Sequence, residues 1–222
     1  MKFSDETISI LKNFATINPS VLMKPGKEIR TISPHKNILA IASIPDEIPA
    51  QACVYDLSRF LSIMSLYDSP EIEFDEKYFL IHEGKKKTKY VYADVSMIHV
   101  PPEKAKKEPS FDMEVDVKWA DLQSVIKAAS VLSLPEVAFV GEEGVCSLKA
   151  IDSENPSADT FGIELGETND NFTLILKTEN LKLLPKDYNV KLSSAGISSF
   201  VSDNVTYFIA ISSDSKYQKG EE

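Results

Sequence analysis

Four stretches of the chain place apolar residues at helical spacing, and most of what lies between alternates at period two. The first helix is expected to start near Ser4, with Asp5 and Glu6 in the turn where the helix dipole favours acids. Ile10, Leu11, Phe14 and Ile17 form its apolar stripe, and Asn18-Pro19 stops it. The second follows Tyr55-Asp56, with Leu57, Phe60, Leu61 and Met64 on one side and an end at Asp68-Ser69-Pro70. The third runs from about Trp119 to Leu134, carries Leu122, Val125, Ile126 and Ala129, and meets Pro135. A short fourth helix is predicted with Thr178 as cap, Leu181 and Leu184 as anchors and Pro185 as its close.

Glu71–Phe74, Phe111–Val117 and Val205–Ile211 alternate apolar and polar, as strands with one wet and one buried face do. Glu142-Glu143-Gly144 and Ser202-Asp203-Asn204 read as hairpin turns. The order helix, strands, helix, strands then occurs twice. The first and third helices begin about 115 residues apart and the second and fourth about 120, in a chain of 222. Pro101 to Pro109, rich in proline and charge, reads as an extended linker. The fold class is therefore α+β: an N-terminal domain over 1–108 and a similar C-terminal domain over 109–222, each an antiparallel sheet covered by two helices.

Composition narrows the function. Hydrophobic residues are 43% and charged ones 26%, enough apolar mass for a packed core. The formal net charge of -10 excludes a protein that coats nucleic acid adhesively. Cys53 and Cys146 sit in apolar, strand-like runs without metal spacing and read as buried free thiols of a reducing compartment. The N-terminus lacks a signal-peptide pattern, and no apolar run approaches the ~18 residues that span a bilayer. A soluble, cytoplasmic protein is expected. Asn171 and Asn204 match the glycosylation pattern only by chance on that reading.

Catalytic patterns are missing. The chain has 8 glycines and neither a dinucleotide-binding nor a P-loop arrangement. His35, His82 and His99 are scattered, and Ser33-Pro34-His35-Lys36 fits S-x-x-K but has a proline where that motif needs a helix. No enzyme activity, metal or cofactor is expected.

What distinguishes the chain is the polar side of its helices. Ser9, Lys12, Asn13 and Thr16 occupy it on the first, and Ser58, Arg59, Ser62 and Ser65 on the second. Gln123, Ser124, Lys127 and Ser130 follow on the third, and Lys177, Asn180 and Lys182 on the fourth. These faces are small, polar and sparsely basic. The four segments carry -1, 0, +1 and +1, so together they hold +1 while the remainder of the chain holds -11. Solvated faces with incidental lysines remain the plain alternative. Two further basic clusters, Lys85 to Lys89 at a predicted hairpin tip and Lys104, Lys106 and Lys107 in the linker, fit either phosphate contact or solubility.

The residues that follow carry a resemblance. Leu11-Lys12-Asn13-Phe14-Ala15-Thr16-Ile17-Asn18 is its most specific part. Tyr55-Asp56-Leu57, Phe60-Leu61, Ser65-Leu66, Asp121-Leu122-Gln123 and Leu181-Lys182 with Pro185 and Tyr188 continue it in order. The chain resembles the sliding clamps of T-even-type bacteriophages, the processivity factors of their DNA polymerases. The resemblance implies the DNA-clamp fold, closed as a homotrimeric ring with sheets outside and helices lining the hole. It also implies double-stranded DNA as a sequence-independent partner and DNA polymerase as a second. An ATP-driven clamp loader and a link to late transcription are implied as well, within the infected host cell.

Carried over by position, Lys12, Lys118, Lys127 and Lys182 match basic positions of the family's lining helices. Helical position adds Arg59 and Lys177, and Lys2 precedes the first helix, so these seven are the candidate DNA-binding residues. Phe111 and Met113 are candidates for the partner-binding pocket, and fit equally well as strand residues facing a core. The alternative function is a structural or interaction protein of the same duplicated fold without DNA binding.

Overall fold

The structure is a computed structural model and describes residues 1–103 and 109–220. The chain divides into two compact units, Met1–Lys104 and Ala105–Glu222. The predicted boundary after residue 108, most of the predicted linker and the lysines Lys104, Lys106 and Lys107 lie outside the described residues.

The first unit opens with α1 (Asp5–Ile17) and the strands β1 (Val21–Met23), β2 (Gly26–Ile32), β3 (Ile38–Ile48) and β4 (Ala52–Val54). Helix α2 (Leu57–Met64) follows, then β5 (Glu71–Phe74), β6 (Tyr78–Glu83) and β7 (Lys86–Val91). Strands β2 and β3 pair antiparallel, as do β1 and β4, and β5-β6-β7 form a three-stranded meander. The start of α1 is fixed as its sequence predicts. Ser4 caps it by accepting from the Thr7 N–H at 3.2 Å. The Asp46 carboxylate on β3 then accepts from the Ser4 N–H, the Ser4 hydroxyl and the Thr7 hydroxyl, all within 2.8 Å. Burial raises the Asp46 carboxyl, but the bonds from Thr7 and Ser4 outweigh it and hold the group below its ordinary value.

Ile10, Leu11, Phe14 and Ile17 are buried against β2, β3 and α2, and each such side chain contributes about 1.5–3 kcal/mol. Asn18 ends the helix and is itself buried. Its amide donates to the Ile32 and His99 carbonyls, and its oxygen accepts from the Ser20 N–H and hydroxyl. Helix α2 is shorter than predicted and stops at Met64. Beyond it Tyr67 is still buried, its hydroxyl meeting Thr88 on β7 at 2.6 Å.

The second unit runs β8 (Met113–Val117), α3 (Trp119–Leu132), β9 (Glu136–Glu142), β10 (Val145–Ile151), β11 (Phe161–Glu167) and β12 (Asn171–Lys177). It continues with β13 (Tyr188–Ser193), β14 (Ile197–Val201), β15 (Val205–Ala210) and β16 (Lys216–Gln218). One sheet has the order β11-β10-β9-β12-β16, with α3 packed on β9, β10 and β11. Strands β15, β14, β13 and β8 are successive antiparallel neighbours in another. The predicted turn between β9 and β10 is present, with Glu143 and Gly144 both at positive φ (53° and 86°), the two-residue hairpin that matches strand twist.

The predicted fourth helix is not there: a single 3-10 turn, Thr178–Asn180, is followed by irregular chain. Thr178 does not cap it, for no side-chain cap bond is made. The cause is tertiary. The Leu184 N–H donates to the Tyr207 hydroxyl at 3.3 Å, and the Leu184 carbonyl accepts from the Tyr188 hydroxyl at 2.7 Å. Tyr207 from β15 thus takes the Leu184 N–H that a helical ladder would have used, and Tyr188 from β13 takes the carbonyl that a helix closing at Pro185 would have left open. Leu181, Leu183 and Leu184 are all buried, a pattern one helical face does not produce. The described residues thus hold three α-helices, with one in the second unit rather than two.

Candidate nucleic-acid interface

In the first unit the apolar stripes of α1 and α2 pack inward and their polar sides face solvent. Ser9, Lys12 and Thr16 on α1 lie on the solvent side, as do Ser58, Arg59 and Ser62 on α2 and Ser65 at its end. Some of the hydroxyls on these faces turn back to the helix. Thr16 donates to the Asn13 carbonyl at 2.7 Å, Ser62 to Ser58 at 2.8 Å and Ser65 to Ser62 at 2.8 Å. On α3, Ser124 donates to the Ala120 carbonyl at 2.7 Å. A hydroxyl whose hydrogen is so engaged presents only lone pairs outward. It accepts from water and gives a phosphate oxygen no donor. The strongest attraction on these faces therefore comes from the cations.

The candidate cations differ in how free they are. Among the described residues, no hydrogen bond or ion pair engages the side chains of Lys12, Arg59, Lys127 or Lys177, and all four are exposed. Lys2, also exposed, donates to the Ser69 hydroxyl at 2.9 Å. Lys118 is otherwise committed. Its ammonium lies 3.0 Å from the Asp187 carboxylate, whose other oxygen accepts the Trp119 N–H at 2.8 Å. Asp187 thereby supplies the cap that α3 lacks from its own N-cap residue, Lys118. The hydrogen bond and charge of Asp187 raise the Lys118 ammonium, while the Trp119 N–H and Lys118 hold Asp187 below its usual value. Lys177 ends β12 and Lys182 stands on the irregular segment after it, so neither rides on a helix as predicted. Both remain exposed.

Phe111, just ahead of β8, and Met113, its first residue, are half-buried, with Met113 opposite Leu192 on β13. Between them Asp112 accepts from the Ser194 N–H and hydroxyl at 2.6 and 2.7 Å, which stitches this stretch to the second unit. A cleft of about 250 Å³ in the first unit, which sequence reasoning missed, lies between Leu22, Lys24 and Arg30 on one side and Val100, Pro101 and Glu103 on the other. Lys24 bridges to Glu103 at 2.8 Å, and Arg30 donates to the Glu103 carbonyl at 3.2 Å. Its trace in the sequence is that Lys24-Pro25 and Pro101-Pro102 both interrupt regular structure. Of the Lys85 cluster, Lys85 alone is at the hairpin tip, beside Gly84 at φ 55°; Lys86, Lys87 and Lys89 belong to β7. No cluster of three or more His, Cys, Asp or Glu able to hold a metal occurs among the described residues. No helix among them is long and apolar enough to cross a membrane. Both cysteines are buried and free, and burial raises both thiols.

Sheet-and-helix units whose helices turn small, polar, thinly cationic faces outward make this a protein of the DNA-clamp architecture. A solved structure titled the C-terminal region of FEN-1 bound to A. fulgidus PCNA superposes at a TM-score of 0.72 over 97% of this chain and 98% of that one, at 14% identity. That likeness is one of fold. A family model described as DNA polymerase processivity factor matches residues 4–99, and one described as gp45 sliding clamp, C terminal, matches 114–213. The sliding clamp of Vibrio phage KVP40 is 36% identical over 95% of this chain and 98% of its own length. That of Escherichia phage RB69 is 32% identical over 98% and 99%. The chain belongs to the phage sliding clamp family, the processivity factors of DNA polymerase.

Proposed function

We propose that three copies of this chain close into a ring around double-stranded DNA and hold the DNA polymerase to its template, after an ATP-driven loader has opened and closed the ring. The observation that carries this reading is the chemistry of the helix faces. Processivity by topology needs a lining that attracts phosphate weakly and reads no base. Lys12, Arg59, Lys127 and Lys177 supply the attraction, with Lys2, Lys118 and Lys182 beside them. Among the hydroxyls between them, those of Thr16, Ser62, Ser65 and Ser124 are satisfied by their own helices and present water-accepting surface, which keeps the grip loose. The charge of -11 borne outside these segments repels DNA from the exterior. Phe111 and Met113 are proposed as part of the surface that receives a partner peptide. The test is loading with the cognate loader and ATP onto nicked circular DNA, then linearisation by a single restriction cut. The protein should stay on circles through a wash and leave when the circle is cut. Equal retention on both forms would show that it binds DNA by adhesion and sink the ring.

A further inference from the structure

The stretch from His99 to Glu103 in the first unit is irregular chain, fastened at both ends by fastenings of opposite character. At His99 the fastening is buried. The Asn18 amide, 1% exposed, donates to the His99 carbonyl at 3.2 Å and to the Ile32 carbonyl of β2 at 2.9 Å. At the other end it lies on the surface. Arg30 on β2 donates from Nη1 to the Pro102 carbonyl at 3.4 Å and the Glu103 carbonyl at 3.2 Å. Its Nε is held by the Glu28 carboxylate at 2.6 Å, which aims the guanidinium. Lys24 adds the ion pair to Glu103, whose side chain is 82% exposed. The hydrogen bond and charge of Lys24 hold the Glu103 carboxyl below its ordinary value. Between the two ends little else holds the stretch. Val100 is 36% exposed, Pro102 is exposed, and neither proline has an N–H with which to join a ladder. Few buried apolar contacts and solvent-exposed hydrogen bonds mark a segment that opens locally. The cleft of about 250 Å³ lies between this stretch and Leu22, Pro25 and Arg30.

We infer that His99 to Glu103 is a strap, hinged at Asn18 and latched by Arg30 and Lys24, and that the latch loosens with ionic strength and lifts the strap off the cleft. The strap is independent of the ring reading above. The hinge stays closed because the Asn18 amide is buried with its partners, where releasing it would strand polar groups. The latch differs because water and ions reach every charge in it. An exposed pair such as Lys24 with Glu103 is screened by salt and exchanges its partner for water at little cost. Arg30 is the stronger half. One planar guanidinium serves a carboxylate and two carbonyls at once, a geometry that an ammonium does not reproduce. Lifting the strap turns Val100 away from Leu22 and Pro25 and opens the cleft to solvent. The plain alternative is a rigid end decorated by surface pairs, and the test separates the two.

The experiment places a nitroxide on the full chain at Val100→Cys, inside the strap, and at Met97→Cys, ahead of the hinge, and reads the ratio of mobile to immobile signal by electron paramagnetic resonance. Cys53 and Cys146 are both buried, so the introduced thiol is the one that labels readily. With the latch residues unaltered, the ratio at position 100 should rise from about 0.01 to about 1 M salt, as the screening length falls from roughly 30 to roughly 3 Å, while position 97 stays constant. At low salt, Lys24→Glu or Glu103→Lys alone should raise the ratio at position 100 by about 2- to 5-fold, the range an exposed pair gives. The two together should bring it back, because the charges are then exchanged rather than mismatched. Arg30→Ala should raise it further, and Arg30→Lys should not restore it. Far-UV circular dichroism verifies the fold of each variant, and the salt series needs no change at the latch. A signal at position 100 that stays immobile both in Arg30→Ala and at high salt shows a segment held by packing and overturns the strap. A double exchange as mobile as either single change overturns the Lys24 part of the latch.

Discussion

Replacing Asn18 by alanine should cost about 2–4 kcal/mol, because its side chain is the sole partner of groups that have nowhere else to turn. Asn18 is 1% exposed and makes four hydrogen bonds: from its amide to the Ile32 and His99 carbonyls, and to its oxygen from the Ser20 N–H and hydroxyl. Two of those groups can recover, since His99 is exposed to water and the Ser20 hydroxyl can rotate. The Ser20 N–H and the Ile32 carbonyl are left without a partner inside the fold, at about 1–2 kcal/mol each within the range for stranded polar groups. At this chain length a loss of that size lowers the melting midpoint by roughly 5–12 °C, read by calorimetry at fixed protein concentration. Asn18→Asp keeps the acceptor but points a carboxylate at two carbonyls. It should be at least as damaging at neutral pH and should recover in part as pH falls and the introduced group takes up a proton. A midpoint for Asn18→Ala within about 2 °C of wild type, or a neutral-pH Asn18→Asp more stable than Asn18→Ala, would refute this account of the site.

Tyr207→Phe removes the acceptor of the Leu184 N–H and should lower stability by about 1–2 kcal/mol in urea unfolding, with no change in DNA retention. Asp46 is held below its unfolded value of 3.8, so its stabilisation is complete above that pH and is lost as pH falls through the folded value. The stability advantage of wild type over Asp46→Asn should therefore be constant near neutrality and shrink in acid, as followed by urea unfolding at a series of pH values; an undiminished advantage down to about pH 2 would count against the linkage. Replacing Lys12, Lys127 and Lys177 by alanine should flatten the salt dependence of retention on circular DNA, by about 0.9 in log–log slope for each phosphate no longer neutralised. Lys118→Ala should change that slope less than Lys127→Ala, since Asp187 already neutralises it.

The difference between what was legible in the sequence and what was not follows the range of the interactions. Helix α1 was readable from cap to stop because Ser4, the apolar stripe and Asn18-Pro19 act within a turn or two of chain. The β9–β10 hairpin was readable because Glu143-Gly144 need only their own backbone conformation. Of the candidate interface, Lys12, Arg59 and Lys127 could be placed from helical position alone, since exposure of a helix face follows from the stripe opposite it. The cleft beside Arg30 left little trace, because it is made by segments about 70 residues apart in sequence.

By itself, then, the sequence determined three helices, the alternation of the sheets and the separation of charge between those helices and the rest. These depend on neighbours within about four residues and on composition. Only the tertiary structure decided whether Leu181 and Leu184 would become a helix. Their spacing allowed it, but Tyr188 and Tyr207 claimed both backbone groups of Leu184. It likewise decided that Lys118 is tied to Asp187, 69 residues away, the carboxylate that caps α3. A buried backbone group takes whichever partner the packed core brings to it, and when that partner comes from a distant strand, local pattern has no means of naming it.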